Sequence, residues 1–263
     1  MKKLLFLIST VLFYSCAAQN LLPVAGKSNV SLFKADAFIG RDQFGSLYYI
    51  TDNILTKQTG ANTTDYNNPA KGKISHIDIQ NPLLLLIFYE SFNSVVLLDY
   101  QLNEVTQITF SNPDFPVQAQ AAGLAGQNKI WIYDSLQQQI LLYDFKQNGY
   151  RRLTTSFKEN IKYYESDFNN FHWIDEQLNR FSCDVYGKIS TYGKVPDFEN
   201  CRMVSNTAVI YLLKGQLYFF NAVDGKSTPM EIAEKTFISF WYKDQILSIF
   251  TKDGITNYII KIP

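Results

Sequence analysis

Histidine and cysteine are nearly missing from this chain, with two and three among 263 residues. Hydrolysis by a serine or cysteine nucleophile needs a neighbouring base, usually histidine, so only His76 and His172 could serve. His76 alternates with isoleucines in Lys73-Ile-Ser-His-Ile-Asp-Ile79, and His172 is wedged between Phe171 and Trp173. Both read as structural strand residues. Neither falls at metal-ligand spacing from a cysteine. No Gly-x-Ser-x-Gly elbow, phosphate loop, His-Glu-x-x-His pair or calcium-loop spacing occurs. Charge is also sparse, at 18%, with formal net charge zero and no dense basic run. That excludes the phosphate-neutralising face that nucleic-acid binding needs. Long apolar runs are missing too. Leu83 to Tyr89 is of strand length, far short of the ~20 residues a membrane helix requires.

What is present points to β structure. Apolar residues make up 46% and aromatics 15%, led by 17 tyrosines and 20 phenylalanines. Such residues suit pleated, half-buried surfaces. Short apolar runs ending on Asp or Asn recur between polar turns: Leu47–Asp52, Val95–Asp99, Ile130–Asp134, Phe171–Asp175, Leu217–Asn221 and, more degraded, Ile246–Asp253. The terminal acid or amide can accept turn N–H groups, which explains its recurrence without a functional role. Around the third run the sequence reads as strand Gln127–Asp134, turn, returning strand Ile140–Phe145, turn at Gln147-Asn-Gly149, then Tyr150–Thr154. The landmarks return about every 40 residues, the period of a four-stranded propeller blade. A single all-β propeller of six blades is predicted, with five or seven open, and a sandwich pair or an up-and-down barrel as rival architectures. Thr59 to Pro69 and Ser111 to Val117 are expected to be exposed loops.

The once-per-blade pattern resembles the NHL, YVTN and TolB-like propeller superfamilies over most of residues 30–263. Family glycines are sparse, with 13 in the chain.

The amino terminus carries a different signal. Met1-Lys2-Lys3 is followed by the ten-residue apolar run Leu4–Phe13 and then by Ser15, Cys16, Ala17 and Ala18. This is the layout of an export signal. Phe13-Tyr14-Ser15-Cys16 resembles a bacterial lipobox, with Tyr14 bulkier than the stricter pattern. The resemblance implies an acylated (palmitate-type) Cys16 as mature terminus and, with Ala17 following, outer-membrane placement facing the periplasm. Several acyl chains hold a protein far more firmly than one. The alternative is an ordinary signal cleaved at Cys16-Ala17-Ala18. The expected division is 1–15 signal peptide, 16–29 tether and 30–263 propeller.

In an oxidising compartment Cys183 and Cys201 are a disulfide candidate, with two buried thiols as the alternative. Paired carboxylates such as Asp175/Glu176 and Asp197/Glu199 could serve a glycosidase, but as turn neighbours they read as solvated charge. Phe168, Phe171, Trp173, Phe237, Phe240, Trp241 and Tyr242 could form a sugar-stacking or protein-contact patch, although core packing is the better reading for most of them. The chain is expected to be a non-enzymatic, cofactor-free lipoprotein binding protein subunits of an envelope complex. Short propeller lipoproteins of this look resemble components of type IX secretion and outer-membrane assembly machines. A glycan-binding or glycan-cleaving role in nutrient uptake is the second expectation.

Overall fold

The computed structural model describes residues 25–111, 116–234 and 236–260, with side chains from residue 30 onward. Twenty-four strands form six four-stranded antiparallel sheets. Blade 1 comprises β2 (Ala37–Arg41), β3 (Leu47–Thr51), β4 (Ile54–Thr59) and β5 (Asn62–Tyr66). Blade 2 comprises β6 (His76–Asp78), β7 (Leu84–Tyr89), β8 (Ser94–Asp99) and β9 (Glu104–Thr109). Blade 3 has β10 (Ala119–Ala125), β11 (Lys129–Asp134), β12 (Gln139–Asp144) and β13 (Gly149–Arg152). Blade 4 has β14 (Ile161–Ser166), β15 (Asn170–Asp175), β16 (Asn179–Asp184) and β17 (Ile189–Lys194). Blade 5 has β18 (Asn200–Ser205), β19 (Ala208–Leu213), β20 (Gln216–Asn221) and β21 (Lys226–Pro229). Blade 6 joins β22 (Ser239–Lys243), β23 (Ile246–Thr251) and β24 (Gly254–Ile259) to β1 (Ala25–Leu32) from the start of the chain. The protein is therefore a six-bladed propeller whose last blade takes a strand from each end of the sequence. The stretch 16–29 expected as tether overlaps β1, which starts at Ala25, the first of the described residues.

Blade faces explain the sequence pattern. In β8, Val95 and Leu97 pack toward blade 3 while Val96 and Leu98 pack toward blade 1. A strand covered on both faces needs an unbroken apolar run rather than alternation. Six apolar clusters result, one at each blade junction, and Phe38, Leu47, Phe250 and Ile255 close the ring between blades 6 and 1. Fourth strands lie at the rim and turn polar. β5, Asn-Thr-Thr-Asp-Tyr, is exposed except for Tyr66. The expected loop from Thr59 to Pro69 is therefore mostly this rim strand, because a sheet edge needs no apolar face to be hydrogen-bonded by its neighbour. Of the second expected loop, residues 112–115 lie outside the described residues.

Turns set the blade registers. The two-residue turns at 52–53, 127–128, 214–215 and 244–245 have positive φ at both positions, the twist-matched geometry of tight hairpins. Longer turns are closed by aspartate. Asp99 accepts the N–H groups of Gln101 (2.8 Å) and Asn103 (2.9 Å), and Asp184 those of Tyr186 and Lys188 (both 2.9 Å).

The disulfide expectation is corrected. Cys183 and Cys201 are buried free thiols. Cys183 packs at the junction of blades 3 and 4, with Trp131 and Phe171, whereas Cys201 packs at the junction of blades 4 and 5, with Ile174 and Tyr211. Blade 4 stands between them. Burial pushes the Cys183 thiol up to about 12 and the Cys201 thiol further still.

Candidate functional site

The first strands of the blades line the axis, since β2 meets β22, β6 meets β10 and β10 meets β14. All run from one end of the ring, here called the mouth, to the other, the base. Second-to-third turns lie at the mouth; first-to-second and third-to-fourth turns lie at the base.

At the mouth, side chains of non-neighbouring blades meet across the axis. The His76 ring (blade 2) lies 5.1 Å from the Tyr164 ring (blade 4). Burial, reinforced by the positive charge of Arg202 in blade 5, pushes His76 down to about 4, so it is neutral at pH 7. Arg202 donates from Nη1 to the Tyr163 hydroxyl at 3.2 Å and stands 3.7 Å from the Glu165 carboxylate. Glu165 also accepts the Tyr163 hydroxyl and the Met203 N–H, the latter at 3.1 Å. This network rivets blade 4 to blade 5. The Arg202 Nε within it is buried without a partner, a costly state unless something else supplies an acceptor.

A Cβ at Gly40 would stand 2.5 Å from the Trp241 indole Nε1 and 3.0 Å from Ile79 Cδ1. Trp241 of blade 6 thus reaches over to blade 1, and glycine at 40 makes room for it. Asp78 is almost fully buried. It accepts N–H groups of Gln80 (2.9 Å) and Leu124 (2.7 Å). Burial outweighs those bonds and the field of Lys243, and raises its carboxyl above the usual range.

A small polar socket of about 190 Å³ opens between blades 2, 3 and 4 at the mouth, lined by Glu90, Gln120, Tyr133, Ile161, Lys162 and Tyr164. The Tyr133 hydroxyl is buried without a hydrogen-bond partner. Lys162 pairs with Asp197 at 2.6 Å and lies over the Phe198 ring. The socket offers a carboxylate, an amide, two phenols and a cation. Its volume admits one side chain or one sugar ring, not a macromolecular segment.

The aromatic residues singled out from the sequence do not converge. Phe171 and Trp173 are buried at the junction of blades 3 and 4, and Phe240 at that of blades 5 and 6. Tyr242 packs against the latter cluster, and Phe237 does the same. Trp241 packs against the cluster between blades 6 and 1, edge-on to Phe38, and Phe168 is exposed on a base turn. These aromatics are therefore core packing, as expected for most of them, apart from Phe168. His172 pairs with Asp167 (3.1 Å) at the first-to-second turn of blade 4, on a different strand from the Tyr164 ring that His76 meets. Asp175 closes its own turn by accepting the Asn179 N–H at 2.8 Å. Among the described residues no cluster of three His, Cys, Asp or Glu could hold a metal. Sequence reasoning missed the mouth residues Tyr133, Tyr163, Tyr164, Glu165 and Arg202. Nothing in their local sequence signals it, because they meet only after the ring closes.

No family model matches the chain, and no curated protein sequence matches it. Among solved structures it is similar to virginiamycin B lyase from Staphylococcus aureus, with TM-score 0.58 and 10% identity, covering 90% of this chain and 99% of that one. It is similar also to PorZ, described as an essential surface component of the type IX secretion system of Porphyromonas gingivalis. There the TM-score is 0.51 and the identity 13%, over 88% of this chain and 33% of that one. A chain from a nidogen/laminin complex gives TM-score 0.56 at 9% identity, over 77% of this chain and 82% of that one. These likenesses establish the propeller fold. An enzyme stands beside assembly components, so fold alone does not select a function.

Proposed function

We propose that the chain is an outer-membrane-anchored periplasmic lipoprotein that binds a protein partner at the propeller mouth, as a non-catalytic scaffold or accessory subunit of an envelope complex. The observation that carries this reading is the socket. It is a side-chain-sized recess with an unpartnered Tyr133 hydroxyl, flanked by Glu90 and Lys162, on a rigid ring. A single anchoring side chain seated in a desolvated pocket and ringed by charge is how protein interfaces concentrate their energy. The likeness to PorZ, and to a chain of the nidogen/laminin complex, supports protein partners in general and, through PorZ, type IX secretion as a setting. The test is purification of the tagged full chain from solubilised membranes. A stoichiometric partner is expected, lost in the double variant Glu90→Lys/Lys162→Glu with thermal stability unchanged. Purification alone, or capture indifferent to that variant, overturns the reading.

The same socket favours a second reading, a glycan. Glu90, Gln120 and Tyr133 can each exchange hydrogen bonds with sugar hydroxyls, and the volume suits one ring. Saturation-transfer NMR against monosaccharides separates the two, since a protein-binding socket gives no sugar signal.

A further inference from the structure

The two ends of the ring expose different chemistry. Large apolar side chains project from base turns of four blades. Phe44, Leu83 and Phe168 sit on first-to-second turns, while Tyr100, Tyr186 and Val223 sit on third-to-fourth turns. The exposure is extreme: Tyr186 is 85% exposed, Val223 78% and Phe44 67%. The acids of these turns do not compete for the surface. Asp42, Asp167, Asp184 and Asp224 fold back to accept N–H groups of their own turns, leaving the apolar tip outermost. Lys188 and Lys226 stand exposed at two of these turns, and Lys146 on the base turn of blade 3. At the mouth, the corresponding turns carry Asp52, Glu90, Glu176, Lys214, Lys252 and Asp253, and the exposed apolar side chains at that end are Phe92 and Leu136 on turns, with Leu32 and Ile238 beside blade 6.

The chain enters at the apolar end. β1 pairs antiparallel with β24, with Leu32 opposite Gly254 and Ala25 opposite Ile259. Gly254 follows a mouth turn, so Ala25 lies at the base. Eight residues, 17–24, separate Cys16 from Ala25. At most ~3.3–3.6 Å each, they span under about 30 Å, whatever path they take.

We infer that the base is a membrane-contacting face, whose Phe, Tyr, Leu and Val tips dip into the lipid headgroup region with Lys146, Lys188 and Lys226 at phosphate level. Tyrosine and phenylalanine tips flanked by lysines are what an aqueous–apolar boundary accommodates, since apolar bodies insert while charged heads stay wet. The inference rests on the lipid-anchor reading for its geometry. It leaves the mouth, and its socket, facing away from the bilayer.

The test uses full-length protein on vesicles of phosphatidylethanolamine and phosphatidylglycerol. An environment-sensitive probe is attached through Tyr186→Cys or, at the mouth, through Leu136→Cys. The buried thiols of Cys183 and Cys201 do not compete for the label. The probe at 186 is expected to shift to the blue and to be quenched several-fold more by lipid-borne spin labels than the probe at 136. Equal emission at both positions, or burial of position 136 instead, overturns the inference. So does loss of a co-purifying protein on substituting Phe44, Tyr186 and Val223 by serine with vesicle contact unchanged, which makes the base a protein interface. Mass spectrometry of Cys16 reports on the anchor separately. An unacylated Cys16 removes the anchor reading, while the probes still report which face meets lipid.

Discussion

His76 shows how one side chain takes its properties from blades distant in sequence. Burial and the Arg202 charge hold it neutral down to about pH 4 in the folded ring, against 6.5 when exposed. The unfolded chain therefore binds a proton that the folded chain refuses. The stability present above pH ~6.5 is lost as pH falls toward 4, by up to ~3 kcal/mol before discounting for the ring's partial exposure. Asp78 works in the opposite sense, because its raised carboxyl favours the folded form in acid. Urea titrations between pH 7 and 5 should show stability falling in the wild type and a flatter profile for His76→Gln. An unchanged slope in the variant would assign the effect elsewhere. The sequence was sufficient to read His76 as a strand residue, since it sits among alternating isoleucines. Its meeting with Tyr164 was not legible, because the 87 intervening residues of ring decide it. The cysteines failed as a pair for the same reason, since both strands were recognised but not the blade lying between their side chains.

Individual strands and turns were the most readable level. Apolar runs ending on Asp or Asn are true strand ends, but they are not equivalent. Leu47, Ile130, Phe171 and Ile246 begin or lie in second strands, whereas Val95 and Leu217 lie in third strands. That mixture accounts for the scatter in the apparent period. Second strands themselves start at residues 47, 84, 129, 170, 208 and 246, a steadier rhythm that the more aliphatic β7 and β19 concealed by lacking a terminal Asp or Asn. Rim strands such as β5 escaped notice, because nothing apolar marks a strand bonded on one side and wet on the other. The turn aspartates are a matter of local stability and differ in depth. Asp42 is buried and accepts the Phe44 and Ser46 N–H groups and the Tyr48 hydroxyl, each at 2.9 Å. Asp144 accepts two N–H groups (both 3.0 Å) nearer the surface. Asp42→Ala should cost ~3 kcal/mol, since it strands the buried phenol of Tyr48, and Asp144→Ala ~1 kcal/mol. Denaturant midpoints at constant m-value will show whether that ranking holds.

Closure governs the whole molecule. Six-fold repetition was legible from the landmark spacing. The recruitment of β1 into blade 6 was not, because Ala25–Leu32 carries little apolar signal of its own. Gly254 makes the seam possible. It holds φ +136°, and a Cβ there would stand 2.0 Å from the Ser31 carbonyl oxygen on β1. Gly254→Val is expected to cost about 3 kcal/mol or more and to speed hydrogen exchange across β1 and β24 first. Gly60→Ala, at φ +61° with open space around it, should cost only the left-handed backbone strain, about 1 kcal/mol. Equal losses in the two variants would mean that the seam has no special role.

That seam also decides how the molecule bears load. Ala25 leaves the ring in line with β1, and the β1–β24 ladder runs the full length of that strand. Tension applied through the preceding residues pulls along the strand, so it shears the rungs together instead of peeling them one at a time. Of all the blades, the sixth is the one whose mechanical strength sets the force the ring can withstand before it opens.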